Sequence, residues 1–184
     1  MCGQMTGVAR TMAGLIADAL RRATPDSITR HFARPTTFLR LPHYPTQREE
    51  EGLFGASAAI RTTASSLLLA QDDVGGLEVR NKAGVWCRCL PFPIPSLMNV
   101  GDILARWSND RFVSTPHRVI NRSGRERYSQ SFFFDPAMQA APLPSFPACV
   151  PAGENAKYPP VIYGDYLMER IDKNYRSHGA QGPA

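Results

Sequence analysis

The most informative stretch of this chain is STPHRVINRSGRERYS, residues 114–129. Two segments of strand-like composition, residues 114–121 and 127–134, flank a turn at residues 122–125, whose Ser and Gly favour a tight reversal. The pattern predicts a β-hairpin with His117 on its first strand and an Arg-x-Ser pair on its second.

The Arg-x-Ser pair is Arg127 and Ser129, whose side chains point to the same face of a strand because they are two positions apart. A guanidinium fork and a hydroxyl on one face can hold a single carboxylate. We therefore expect an anion site that anchors one end of a dicarboxylic acid. A surface ion pair and an exposed hydroxyl are the alternative for these two residues.

The chain around this stretch has a composition typical of a β protein. From residue 36 onward, short segments rich in Thr, Phe, Leu and Val alternate with Pro and Gly, which is typical of a sandwich or barrel. Residues 36–44 are the first predicted strand, and residues 77–89 predict a hairpin that turns at 81–84. Residues 102–109 predict a short helix.

Helices are predicted on both sides of the β region. Near the N-terminus, apolar residues at steps of three and four predict the buried face of an amphipathic helix: Met5, Val8, Met12, Leu15 and Ala19. Residues 163–175 return to helical spacing. The expected organisation is an N-terminal helical region (1–35), a β domain (36–136), and a Pro-rich loop with a C-terminal helix (137–184).

Composition excludes several functional classes. A chain of 184 residues fits one domain, and no apolar run approaches the ~20 residues of a membrane span. The net charge is +5, but the basic residues are scattered along the chain. They do not form the strip of Lys and Arg that is typical of nucleic-acid-binding proteins. The four cysteines lack CxxC spacing, which predicts reduced thiols. We expect a cytoplasmic monomer without membrane or nucleic-acid partners.

Five stretches between residues 36 and 136 together resemble one known family. They are LRLPHYP (39–45), QDDVGGLEV (71–79), NVGD (99–102), STPHRV (114–119) and RYS (127–129). On these motifs the chain resembles the isopenicillin N synthase-like 2-oxoglutarate/Fe(II)-dependent dioxygenases.

This resemblance implies a fold, a chemistry and a set of site residues. The implied fold is mainly β with flanking helices, around a double-stranded β-helix of the jelly-roll or cupin-like type. The implied chemistry is hydroxylation or desaturation of a small molecule, with Fe(II) and 2-oxoglutarate as cofactors. The resemblance makes His117 an iron ligand. It assigns the far carboxylate of 2-oxoglutarate to Arg127 and Ser129, assisted by Tyr44, although some relatives use the Arg-x-Ser pair for a substrate carboxylate instead.

The chain departs from the family at the other two iron ligands. These enzymes hold Fe(II) with two histidines and one carboxylate, and their His-x-Asp motif aligns with Ile60 and Thr62. Ile60 has no donor atom, Thr62 is a poor neutral ligand, and Arg61 between them would repel a dication. The acidic run Glu49, Glu50 and Glu51 lies about ten residues upstream and is typical of a solvated loop.

A shift of reading frame would explain the missing motif. Rereading residues 60–66 from the third base of each preceding codon permits His-Thr-Asp-Tyr-Gly-Leu-Leu, and family-like residues resume at Leu67. We hypothesise a compensated frameshift over residues 56–66. Two functions stay open: an oxidoreductase of this family, or a catalytically inactive fragment or pseudoenzyme that keeps a residual carboxylate-binding site.

Sequencing the source DNA across codons 55 to 69 tests the frameshift hypothesis. We expect the offset frame to read His-Thr-Asp over codons 60 to 62. Any other reading there would make Ile60 and Thr62 genuine substitutions, and the hypothesis would be abandoned.

Overall fold

The computed structural model of the protein describes residues 2–20, 29–46, 65–89, 97–139, 142 and 144–179. Ile60, Thr62 and the acidic run at residues 49–51 lie outside these residues. Backbone alone is described for strand residues 65–71 and for the end of the last helix.

The described chain contains eight strands, three α-helices and two short 3-10 helices, Arg30–Phe32 and Pro147–Cys149. The helices are α1 (Cys2–Ala19), α2 (Asp102–Trp107) and α3 (Tyr163–Gly179). The strands are β1 (Thr36–Arg40), β2 (His43–Tyr44), β3 (Ser65–Gln71), β4 (Leu77–Arg80), β5 (Trp86–Arg88), β6 (Leu97–Val100), β7 (His117–Val119) and β8 (Arg127–Asp135).

The larger sheet is built around β8. Its strand order is β1-β8-β3-β6, and β2 also pairs with β8. On one edge of β8, Ser131 to Asp135 pair with β1 while Arg127 and Tyr128 pair with β2. On the other edge, Ser129 to Phe134 pair with β3. Every ladder is antiparallel, so β8 has hydrogen-bonded neighbours on both sides.

The smaller sheet has the order β5-β4-β7. The predicted β4–β5 hairpin is confirmed, with Val79 paired to Cys87 and the Asn81 side chain accepting a bond from the Val85 N–H at 2.9 Å. The chain crosses from the larger sheet to the smaller one after β3 and after β6, and it returns after β5 and after β7. This alternation is the double-stranded β-helix that the resemblance implied, and the expected fold class is confirmed.

The predicted hairpin between β7 and β8 is wrong. β7 pairs with β4 in the smaller sheet, whereas β8 lies in the larger one. Both edges of β8 are already taken by β1, β2 and β3, so no edge is left for β7. The turn at residues 122–125 therefore carries the chain from one sheet to the other.

A hydrophobic core fills the space between the outer face of the larger sheet and the helices. Phe132 and Phe134 on β8 are buried there with Trp107 of α2. Phe32 stacks on Phe134 with ring centroids 4.7 Å apart and meets Trp107 edge-on at 5.9 Å. Burial of each such aromatic ring stabilises the fold by about 1.5–3 kcal/mol.

Helix α1 is confirmed, and Met5 packs against the core as predicted, but the rest of the predicted buried face is shifted. The residues buried in the core mostly lie one position further along: Ala9, Ala13, Ile16, Ala17 and Leu20. Leu15 is 56% exposed and Val8 47% exposed. Small alanine side chains let a helix approach the sheet closely, which a pattern based on large apolar residues does not detect.

The two remaining helices are tied to each other. The Arg170 guanidinium of α3 lies 2.8 Å from the Asp102 carboxylate at the start of α2. Both helices were predicted, and α3 runs four residues beyond the predicted end. No helix in the described part of the chain is long and apolar enough to cross a membrane.

Gly76 and Gly124 provide a matched pair of substitutions that tests how closely the backbone of Gly76 approaches that of Ile120. Both have positive φ, +91° and +70°, but a Cβ at Gly76 would lie 2.6 Å from the Ile120 carbonyl oxygen, whereas one at Gly124 meets open space. We expect Gly124→Ala to lower the free energy of unfolding by about 1–2 kcal/mol. Gly76→Ala should cost roughly 1–3 kcal/mol more because backbone atoms must move. Urea unfolding measures both, and equal losses would contradict the close approach.

Candidate functional site

Strand β8 points Arg127 and Ser129 into the space between the sheets. Arg127 is 1% exposed and Ser129 is 6% exposed, whereas Tyr128 between them is 53% exposed. This alternation is the face sharing expected from the Arg-x-Ser spacing. A buried guanidinium interacts with an anion more strongly than an exposed one, because the local dielectric constant is lower.

Tyr44 lies beside Arg127. The two residues are direct partners in the β2–β8 ladder, and the Arg127 guanidinium carbon lies 4.8 Å from the centre of the Tyr44 ring. This cation–π contact favours a guanidinium plane held against the ring. The structure therefore brings together three of the predicted site residues, Tyr44, Arg127 and Ser129.

The loop between β3 and β4 holds this part of β8 in place. The Asp72 carboxylate accepts hydrogen bonds from the backbone N–H of Tyr128 and, at 3.1 Å, from that of Val74. The Asp72 N–H in turn donates to the Tyr128 carbonyl at 3.2 Å. A Cβ at Gly76 would also lie 3.8 Å from Cδ of Arg127. The loop thus packs directly against the arginine stem.

Asn121 is a positioning residue that the sequence analysis missed. Its buried side-chain amide donates to the carbonyl oxygens of Arg125 at 2.7 Å and Tyr44 at 3.3 Å. Its carbonyl oxygen accepts a bond from the Ser123 hydroxyl at 2.7 Å. Asn121 therefore joins the β7–β8 turn to the strand that carries Tyr44. An Asn two positions before a Ser-Gly turn was the available signal.

His117 lies on the facing sheet. It pairs with Val79 and shares its strand face with buried Val119. Its Nδ1 lies 3.3 Å from the Thr115 carbonyl oxygen. A carbonyl can only accept, so this bond requires Nδ1–H and leaves the lone pair of the neutral ring on Nε2.

Glu78, a second residue that the sequence analysis missed, stabilises the sheet that carries His117. Its buried carboxylate lies on the opposite strand face, 2.7 Å from Nε of Arg118 and 3.4 Å from Nη1 of Arg122. Arg118 also lies over the Trp86 ring, 4.1 Å from its centre. The ion pair therefore links β4 to β7 directly, and Trp86 of β5 packs on it. A charged residue in a strand bounded by Leu77 and Val79 was the sequence signal.

These residues fit a dicarboxylate such as 2-oxoglutarate. The guanidinium of Arg127 can form two parallel hydrogen bonds to one carboxylate, and the Ser129 hydroxyl can donate a third. Gly76 extends the β4–β7 ladder, because its carbonyl accepts the Ile120 N–H at 2.9 Å, and it lies close to the Arg127 side chain of the facing sheet.

The residues present do not fit the Fe(II) site that the resemblance implies. Such a site needs two imidazoles and a carboxylate. Within the residues that the structure describes, no group of three or more His, Cys, Asp or Glu side chains is placed to hold a metal ion. The chain has four histidines, and none lies between residues 44 and 116, so the segment around Ile60 and Thr62 cannot supply an imidazole.

The other three histidines lie away from the inner strand faces. His31 is half-buried against Trp107, with ring centroids 5.3 Å apart, and burial followed by the charge of Arg30 lowers its pKa. His43 stacks on Tyr128 at 4.6 Å, on the face of β2 opposite to Tyr44. His178 lies in the last turn of α3. His117 is thus the only histidine on an inward strand face among the described residues.

The exposed face of β8 carries a separate small cluster. The Glu126 carboxylate accepts a bond from the Tyr128 hydroxyl at 2.7 Å and lies 3.4 Å from Nε2 of His43. The Tyr128 hydrogen bond and then the charge of His43 lower the pKa of Glu126. His43 therefore contacts Glu126 and Tyr128 on the side of the strand away from Arg127.

A family model matches much of this chain. The 2OG-Fe(II) oxygenase superfamily model matches residues 35–136, which include every described site residue named above. Arg127, Ser129, Tyr44 and His117 all lie within the matched range.

Named relatives and solved structures point the same way. The chain is 39% identical over 142 residues to the 2-oxoglutarate-Fe(II) type oxidoreductase hxnY of Emericella nidulans, covering 74% of this chain and 40% of that protein. It is 35% identical over 145 residues to the homoarginine-6-hydroxylase 2-ODD-233 of Oryza sativa subsp. japonica, covering 77% and 44%. A full-length protein of Neurospora crassa, crystallised with α-ketoglutarate and thymine, superposes with a TM-score of 0.85 at 27% identity, covering 94% and 54%. The chain therefore spans about half the length of these proteins, or less.

Proposed function

The chain belongs to the 2OG-Fe(II) oxygenase superfamily, and from this premise we propose that it binds 2-oxoglutarate, which with a complete iron site would be the cosubstrate for oxidation of a small organic molecule. The observation that carries the proposal is the burial of Arg127 beside Tyr44 and Ser129 on the inner face of β8. Fe(II) and 2-oxoglutarate are the cofactors of this family.

Arg127, Ser129 and Tyr44 would hold the cosubstrate at its far carboxylate. The guanidinium binds both carboxylate oxygens, the Ser129 hydroxyl donates to one of them, and the Tyr44 ring fixes the guanidinium plane. 2-Oxoglutarate supplies the two electrons that, with dioxygen, drive oxidation in this family. Because the residues present do not fit the metal, no further step is assigned to them.

A small molecule is the substrate class that the relatives support. The Neurospora protein was crystallised with thymine, and the rice relative is named for hydroxylation of homoarginine. We propose the same broad class for this chain. The cytoplasmic location, the monomeric state and the lack of nucleic-acid and membrane partners stay predictions from sequence.

The histidine positions favour a second candidate function. With His117 as the only inward-facing imidazole in the described chain, the protein would bind a carboxylate without oxidising a substrate. Arg127 and Ser129 lie on β8, which pairs with residues 36–40, 43–44 and 65–71, whereas Ile60 lies on a different part of the chain. Carboxylate binding therefore does not require the metal ligands.

Replacement of Arg127 tests the carboxylate site. Arg127→Met removes a charged hydrogen-bonding group and should weaken 2-oxoglutarate binding about 10- to 100-fold by calorimetry. Ser129→Ala removes one neutral donor and should weaken it about 2- to 10-fold. The control is Arg125→Met, because Arg125 is exposed and paired with Asp73 at 2.9 Å. Unchanged affinity in a folded Arg127→Met protein would refute the proposed site.

Anaerobic titration with Fe(II) separates the two candidate functions. We expect Fe(II) with 2-oxoglutarate to give no visible charge-transfer band in the natural chain, because one imidazole cannot hold the metal. The double substitution Ile60→His with Thr62→Asp should create the band, since it restores two donors. A band in the natural chain, with succinate formed on admission of air, would favour the oxidoreductase and eliminate the binding protein.

A further inference from the structure

A 2-oxo acid is recognised through two separate ends. One end is the far carboxylate, which carries a full charge and two acceptor oxygens. The other is the 2-oxo carboxylate end, which differs from a plain carboxylate only by a ketone oxygen. Selection for 2-oxoglutarate over other dicarboxylates has to come from groups that sense this ketone.

Only the far-carboxylate end is built from described residues of this chain. Arg127 and Ser129 are buried on one strand face and Tyr44 is stacked on the guanidinium. These three residues contact a carboxylate in the same way whether or not the ligand carries a ketone elsewhere. They therefore supply affinity without selection for the 2-oxo group.

A chelated metal would sense the ketone, but the chain does not provide its ligands. The four histidines are at positions 31, 43, 117 and 178, and only His117 lies on an inward strand face among the described residues. A single imidazole cannot take the place of the two histidines and one carboxylate that hold the metal in this family. His117 alone thus does not replace the metal.

We propose that the Arg127 site binds short linear dicarboxylates as a class, without a metal ion and without selection for the 2-oxo group. This inference rests on the proposed carboxylate site at Arg127, and it adds the ligand class that the site accepts. Glutarate is the matched probe, because it differs from 2-oxoglutarate only in lacking the ketone. Succinate is one methylene shorter and tests tolerance of length.

Calorimetry of the natural chain in EDTA tests the proposal directly. The dissociation constants of 2-oxoglutarate and glutarate should agree within about threefold, and succinate should bind in the same range. Replacing EDTA with excess Mn(II) should change each constant by less than about threefold. In the Ile60→His, Thr62→Asp double variant, Mn(II) should tighten 2-oxoglutarate binding by about tenfold or more and leave glutarate unchanged.

The possible outcomes separate this inference from the proposed carboxylate site. If 2-oxoglutarate binds the natural chain more than about tenfold tighter than glutarate, or if Mn(II) tightens it that much, the lack of selection is refuted while the site survives. If no dicarboxylate binds, or if Arg127→Met leaves the affinities unchanged, both proposals fail. The measurements on the natural chain decide the question even if the double variant does not fold.

Discussion

Strand β8 is hydrogen-bonded along both edges, and the rest of the described structure depends on this double pairing. With β1 and β2 on one side and β3 on the other, β8 cannot rotate or slide without breaking several ladders. Its two faces then serve different purposes. Phe132 and Phe134 anchor the helices on the outside, while Arg127 and Ser129 are held on the inside. The Tyr44 ring against the Arg127 guanidinium offsets part of the cost of burying this charge.

The two sheets meet at a few short connections near Arg127. Gly76, which accepts the Ile120 N–H within the smaller sheet, has no room for a side chain and lies close to the Arg127 stem of the larger sheet. Asp72 ties the same loop to β8, and Asn121 ties the β7–β8 turn to β2. These contacts set where the sheet that carries His117 lies relative to the sheet that carries Arg127. A change at any of them would alter the site without touching a ligand-binding group.

Local patterns in the sequence predicted much of the fold, and the errors came from interactions between distant segments. The β4–β5 hairpin follows from a four-residue turn with Asn81 and Gly84. A similar turn at residues 122–125 does not form a hairpin, because β1, β2 and β3 compete for the edges of β8. The buried face of α1 was misplaced because Ala13 and Ala17, which lie in the core, have small side chains. A pattern based on large apolar residues does not detect them. Arg127 and Ser129 could be named early because spacing and motif both pointed to them, whereas Tyr44 was named from the family motif alone. Asn121 and Glu78 act through partners far along the chain, which spacing does not show.

The carboxylate site and the metal ligands depend on different parts of the chain, so one can be lost without the other. The carboxylate residues come from β2 and β8, which pair with each other and, for β8, with β3. The His-x-Asp positions fall on Ile60 and Thr62, in a separate segment that contains no histidine. A frameshift and a gradual substitution would each remove the metal donors while leaving the buried guanidinium in place. Whether the metal ligands were lost by a frameshift or by substitution, Arg127 sets the affinity for a dicarboxylate.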